Sequence, residues 1–167
     1  MPTSADPNRK NKIEAVVVGL LAQRGKTLAL AESCTGGFIA NQITNVPGAS
    51  KIFPGGIVAY SNEAKRKFLG VRARTLAQHG AVSEAVAREM AGGARKKFGA
   101  DFAIAVTGIA GPGGGTKSKP VGTVFIALAG DGETVVERKL NPLGREKFKR
   151  AAANQALKML QLRLKRR

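Results

Sequence analysis

With one cysteine, Cys34, the chain cannot close an internal disulfide, which excludes a disulfide-stapled secreted scaffold. With one histidine, His79, it owns too few ligands for a zinc site built from His and Cys. Acidic residues are scarce, 11 against 28 Lys and Arg, and the net charge of +17 favours anionic partners through long-range attraction. Aromatic residues make up only 5% of the chain, which weighs against a nucleic-acid module built on base stacking. No apolar run approaches the roughly 20 residues that cross a bilayer. The run from Ala15 to Ala22, preceded by Arg9, Lys10 and Lys12, has the outline of a signal peptide. Glu14 borders it, however, and Gln23, Arg24 and Lys26 follow without a cleavage site, so a cytoplasmic protein with no membrane contact is expected.

What is present is globular: 43% hydrophobic and 23% charged residues in a chain of 167, enough for one real core. Residues 1–11 are polar with two prolines and read as a disordered N-terminal segment, and 12–167 read as a single domain. The spacing of Ile13, Val16, Val17, Leu20 and Leu21 predicts a helix over 12–24, stopped at Gly25. Short apolar runs predict strands at 27–31, 56–60 and 102–106, and 121–129 with 134–140 read as a hairpin around Asp131-Gly132. Helices are expected from the turn at 32–37 to about Asn45, from a Ser61 or Asn62 cap to Gly70, over 73–79, and from a Ser83 cap to about Phe98. A last helix starts near Arg145, with Phe148, Ala152, Ala156, Leu160 and Leu164 on its apolar face. Strands alternating with helices, then a hairpin, predict an α/β fold: three layers, α/β/α, with a mixed sheet covered on both faces. The glycine-rich segments 35–37 and 107–115 both follow predicted strands, where open α/β sheets bind ligands, so they are expected to flank one pocket.

Ser33 sits where a strand becomes a helix, a place that exposes a hydroxyl and aims backbone N–H groups at a developing anion. From spacing alone an N-cap at Ser33 or Thr35 is the commoner reading, and Cys34 fits a small buried residue. A serine nucleophile needs a base, and two are available: His79, in the loop before Ser83, and Lys65, one turn into the helix after Tyr60. A lysine acts as a base only where desolvation or a nearby cation lowers its pKa; otherwise it is a solvated charge. The stretch Gly111 to Ser118 invites a phosphate-loop reading, but Thr116 stands where that pattern requires glycine and Pro120 with a strand follows, which excludes a nucleoside triphosphatase.

Five segments in order, Ala31-Glu-Ser-Cys-Thr-Gly-Gly37, Tyr60-Ser-Asn-Glu-Ala-Lys65, His79-Gly-Ala-Val-Ser-Glu84, Thr107-Gly-Ile-Ala-Gly-Pro112 and Lys119-Pro-Val-Gly-Thr-Val124, resemble the competence/damage-inducible CinA C-terminal domain family. The resemblance spans roughly residues 12–160. It implies an amidohydrolase that converts nicotinamide mononucleotide to nicotinic acid mononucleotide and ammonia, in pyridine nucleotide salvage, with no metal or other cofactor. Ser33 and Lys65 match the positions of a Ser/Lys dyad. For that reaction, physical reasoning expects oxyanion donors among Thr35, Gly36 and Gly37, a ring contact from Tyr60, and phosphate donors in Thr107, Gly108 and Gly111 or in the 35–37 turn, while the resemblance implies a substrate contact from Arg145. It also implies a stand-alone member without the large N-terminal domain that some relatives carry. The chain departs from the family near its last helix: a usual Gly-Asp-Arg, followed by a hydrophobic-Arg pair, is here Leu143-Gly144-Arg145 followed by Phe148-Lys149. Arg145 is kept and the Asp is not, which leaves a mononucleotide-binding protein without turnover as one alternative. Basic residues crowded into the last helix make weak nucleic-acid contact another. Apolar residues on the short helices leave a homo-oligomer open.

Overall fold

The computed structural model describes residues 12–130 and 132–166, so the segment 1–11, expected to lack order, lies outside the described residues. In chain order the elements are α1 (Ile13–Arg24), β1 (Leu28–Glu32), α2 (Phe38–Thr44), a 3-10 turn (Ala49–Lys51), β2 (Gly55–Val58), α3 (Asn62–Leu69), α4 (Ala73–His79), α5 (Glu84–Phe98), β3 (Phe102–Gly108), β4 (Thr123–Gly130), β5 (Glu133–Leu140) and α6 (Arg145–Lys165). The strands form one sheet in the order β2-β1-β3-β4-β5. β1 is parallel to both β2 and β3, while β3, β4 and β5 run antiparallel, so the sheet is mixed. The hairpin joining β4 to β5 pairs Gly130 with Glu133 and turns through Gly132 at φ +81°; its other turn residue, Asp131, lies outside the described residues.

Side chains alternate across a strand, and here the two faces received different sizes. Leu28, Leu30, Ile104, Val106, Val124 and Ile126 point to one face, in a core with Val17 and Leu21 of α1, Ile39 and Ile43 of α2, and the apolar stripe of α6. That stripe is the expected one: Phe148, Ala152, Ala156 and Leu160 are all fully buried and Leu164 is nearly so. Truncating a buried leucine in such a core to alanine costs about 2–5 kcal/mol. The opposite face carries Ala29, Ala31, Ala103, Ala105, Ala127 and Ala129, packed with Val86, Ala87, Met90 and Ala91 of α5. Small side chains there let α5 lie close to the sheet. α5 in turn receives α3 at Gly93, where an added Cβ would stand 1.9 Å from the Leu69 carbonyl oxygen. Backbone meets backbone at that crossing, which sets the position of α3 against the sheet.

Local signals held at most boundaries. Gly25 closes α1 in the left-handed conformation. Ser61 accepts a hydrogen bond from the Ala64 amide and Ser83 one from the Val86 amide, satisfying donors that a helix start leaves open. Several strand boundaries moved by one or two residues, and two of the shifts bear on the site. β3 runs on through Thr107 and Gly108, expected in the loop, because β4 pairs Thr107 with Phe125 and Gly108 with Val124. β2 ends at Val58 rather than Tyr60, for a reason that lies in the site. Among the described residues no helix is long and apolar enough to cross a membrane.

Candidate active site

β1 and β3 are parallel neighbours, so the segments that follow them emerge side by side. Ser33 comes directly after β1, and its amide donates to the Val106 carbonyl of β3 at 3.0 Å. The chain then turns sharply. The Gly36 amide donates to the Ser33 carbonyl, and Gly37, at φ +90°, is the N-cap of α2 with no side chain to offer. The missing cap comes from Glu32. Its carboxylate, 1% exposed, accepts from the amides of Gly37 and Ile39 through Oε2 at 3.1 Å each and from Ala40 through Oε1 at 2.8 Å. Ser33 is therefore not the cap, and neither is Thr35; a buried anion at the positive end of the helix performs that task. Glu32 escaped the sequence reading. Its signal was the glycine pair where a capping Ser, Thr or Asp would stand, which requires an acceptor from elsewhere.

Lys65 lies one turn into α3. Its side chain, 1% exposed, places Nζ 2.9 Å from Ser33 Oγ, 2.9 Å from the Ala59 carbonyl and 3.2 Å from the Tyr60 carbonyl. Because those two carbonyls serve the amine, β2 stops before them. Burial strips the ammonium of water and pushes the Lys65 pKa below its ordinary 10.5, while the sulfur of Cys34 pulls weakly the other way. Desolvation also acts on the neighbouring thiol: burial pushes Cys34 up to about 12, against the amides of Cys34 and Thr35 and the charge of Lys65. Cys34 is thus a thiol at neutral pH and a poor nucleophile. His79 ends α4 in an exposed position, with its carbonyl taking the Lys119 amine.

The other expected site residues divide into two groups. Tyr60 is 63% exposed; its carbonyl holds Lys65 and its hydroxyl lies 3.5 Å from Arg145 Nη1. Gly36 lies under Lys149, whose Nζ is 3.6 Å from where a Cβ would stand. Thr35 is fully buried, its hydroxyl has no partner among the described residues, and its amide meets no oxygen acceptor there. These residues gather around Ser33 and Lys65. Thr107 instead donates its hydroxyl to the Ala81 carbonyl at 2.8 Å. Gly108 is packed where a Cβ would be 2.8 Å from the Thr123 carbonyl, 2.9 Å from Phe148 Cζ and 3.1 Å from Cys34 Sγ. Gly111, at φ +80°, abuts Val121. Concavity alone does not select the site, since a groove of about 870 Å³ runs elsewhere, between α1, β5 and α6, lined by Ile13, Glu137, Lys158 and Leu162 among others.

A model of the CinA C-terminal domain family matches residues 10–164. The chain belongs to that family. Among its relatives, a CinA-like protein of Anaeromyxobacter sp. is 52% identical over 156 residues, 93% of this chain and 38% of that protein. A CinA-like protein of Thermotoga maritima is 59% identical over 117 residues, 70% of this chain and 29% of that protein. The chain therefore spans well under half the length of the curated relatives it matches. Solved structures of comparable size fit along nearly their whole length. The competence/damage-inducible protein CihA of Agrobacterium tumefaciens is 40% identical with a TM-score of 0.89, covering 97% of this chain and 99% of that one. A competence damage-inducible protein A of Klebsiella pneumoniae is 40% identical with a TM-score of 0.90, covering 96% and 99%.

Proposed function

We propose that this CinA-family chain is an amidohydrolase that converts nicotinamide mononucleotide to nicotinic acid mononucleotide and ammonia. The observation that carries the reading is a desolvated lysine amine 2.9 Å from a serine hydroxyl at the carboxyl ends of two parallel strands. A neutral amine at that position donates its two protons to the Ala59 and Tyr60 carbonyls and turns its lone pair to the Ser33 hydroxyl. Lys65 then takes the Ser33 proton as Oγ attacks the amide carbon, and returns it to the leaving ammonia. Water cleaves the acyl-enzyme with the same base. The amides of Gly36 and Gly37 are engaged within the turn; the Thr35 amide, turned toward the Cys34 sulfur, meets no oxygen acceptor among the described residues and is the remaining oxyanion donor of that stretch. Tyr60 offers an exposed ring for the pyridine, and the net charge of +17 draws an anionic substrate toward the protein.

The test is ammonia release from nicotinamide mononucleotide by purified protein with chelator present. Activity is expected to persist in chelator and to vanish in both Ser33→Ala and Lys65→Ala, while circular dichroism shows each variant folded. Turnover retained by either variant removes that residue from the chemistry.

A further inference from the structure

We infer that β5 is the pairing edge of a homodimer, in which the β5 strands of two copies run antiparallel about a two-fold axis at Val136 and join two sheets into one. The sheet has two edges, β2 and β5. β2 has four residues and begins with two glycines, the short kind of edge that resists pairing. β5 has eight residues, with no glycine or proline among them. At its end the Asn141 amide donates to the Gly122 carbonyl, just before β4. Backbone groups alternate in direction along a strand, so the odd-numbered residues of β5 turn theirs toward β4, and Thr134, Val136, Arg138 and Leu140 turn theirs outward. Of these outward groups, only the Thr134 carbonyl has a partner among the described residues, the Arg88 guanidinium.

A strand that pairs with its own copy must set outward groups against outward groups, so one residue stands on the axis and faces itself. Charge selects which residue that is. Val135 on the axis sets Glu133 against Glu137, Glu137 on the axis meets itself, and so does Arg138. Val136 on the axis puts no like charges opposite. It sets Glu133 against Lys139 of the second copy on both sides of the axis, with Val135 against Glu137 and Thr134 against Arg138. Within each copy Glu133 already meets Arg163 and Lys139 meets Glu137. The pairing therefore closes a row of alternating charge, Arg163, Glu133, Lys139 and Glu137, across the junction. The axis is perpendicular to the joined sheet, so both α6 helices stand on the same face. On that face Val135, 43% exposed, and Leu162, 50% exposed, border one hollow with Leu128 and Met159. Pairing brings the hollows of the two copies together, and their apolar rims cover each other. The strand hydrogen bonds set the register, and this contact adds area toward the roughly 1,200 Å² that a stable interface buries.

The test measures the dimer dissociation constant of the purified chain by analytical ultracentrifugation at fixed low salt, with circular dichroism to show each variant folded. Wild type is expected to sediment as a concentration-dependent dimer. Glu133→Lys sets a lysine against Lys139 of the second copy, and Lys139→Glu sets a glutamate against Glu133, each twice by symmetry. Either variant alone is expected to raise Kd about tenfold to a hundredfold. In an equimolar mixture of the two, every facing pair across a mixed dimer is again of opposite charge, and Kd is expected to return to within about threefold of wild type. Glu63→Lys, on the exposed first turn of α3, makes the same change in net charge as Glu133→Lys and is expected to move Kd by less than about twofold. A monomeric wild type overturns the proposal. So do single variants that pair as tightly as wild type, an equal loss in Glu63→Lys, or a mixture that stays as weak as its components.

Discussion

Replacing Glu32 by glutamine changes one atom at the end of β1 and leaves the side-chain size unchanged. The carboxylate receives three amide protons, two on Oε2 and one on Oε1. Glutamine has one acceptor oxygen. If that oxygen keeps Gly37 and Ile39, its NH₂ group faces the Ala40 amide, donor against donor. One charge-assisted hydrogen bond is then lost, worth about 1.5–3 kcal/mol. The two that remain become neutral and weaken by about half, and the attraction between the anion and the helix start, about 0.3–1 kcal/mol, disappears. The sum is a destabilisation of about 3–7 kcal/mol. For a domain of this size each kcal/mol lowers Tm by about 2–4 °C, so thermal unfolding followed by circular dichroism is expected to shift down by roughly 6–28 °C. Glu63→Gln, in the exposed first turn of α3, serves as the control and is expected to shift Tm by less than about 2 °C. Because Ser33 follows Glu32 directly, the ammonia-release rate of the folded variant is expected to drop as well. A Glu32→Gln transition indistinguishable from the control would refute the reasoning, since water rather than Glu32 would then be satisfying the α2 amides.

Two further outcomes follow from the packing and from the buried amine. Alanine at Gly93 drives a methyl group to 1.9 Å from the Leu69 carbonyl, whereas alanine at Gly92, on the same helix, meets nothing within 4 Å. Urea denaturation is expected to show Gly92→Ala more stable by about 0.5–1 kcal/mol and Gly93→Ala less stable by more than about 2 kcal/mol; activity should fall only in Gly93→Ala, because α3 carries Lys65, and equal stabilities would sink this account of the crossing. With the neutral amine acting as the base, as proposed, kcat/KM is expected to rise with pH through a Lys65 pKa displaced below 10.5. Between the lowered folded value and the ordinary one the unfolded chain binds more protons, so the Lys65 contribution to stability is full above 10.5 and is lost as pH falls through the folded value. Lys65→Met should flatten that part of the stability profile, and an unchanged slope would contradict the lowered pKa.

Short-range patterns carried most of the elements. Gly25, Ser61 and Ser83 mark helix ends by conformations and hydrogen bonds that span only a few residues, and all three stand where local chemistry places them. The final helix was legible from its four-residue repeat of buried positions. The alternation Leu28-Ala29-Leu30-Ala31 carried a period of two, but not the reason for alanine on one face, which is the approach of α5. Thr107 and Gly108 read as loop because glycines follow them; they became strand because β4, sixteen residues on, supplies their partners.

At the site the sequence by itself determined which groups are available: one serine at a strand-to-helix turn, two candidate bases, a glycine pair, and a cationic last helix. It left Ser33 poised between cap and nucleophile and Lys65 between solvated charge and base. Tertiary structure removed the cap and the solvated charge. A carboxylate from β1 took over the capping of α2, which freed the Ser33 hydroxyl, and the packing of α3 against α5 buried an amine beside a serine 32 positions away. The physical reason is that capping and periodicity depend on neighbours along the chain, whereas desolvation and hydrogen-bond partners depend on which distant segments the sheet brings together.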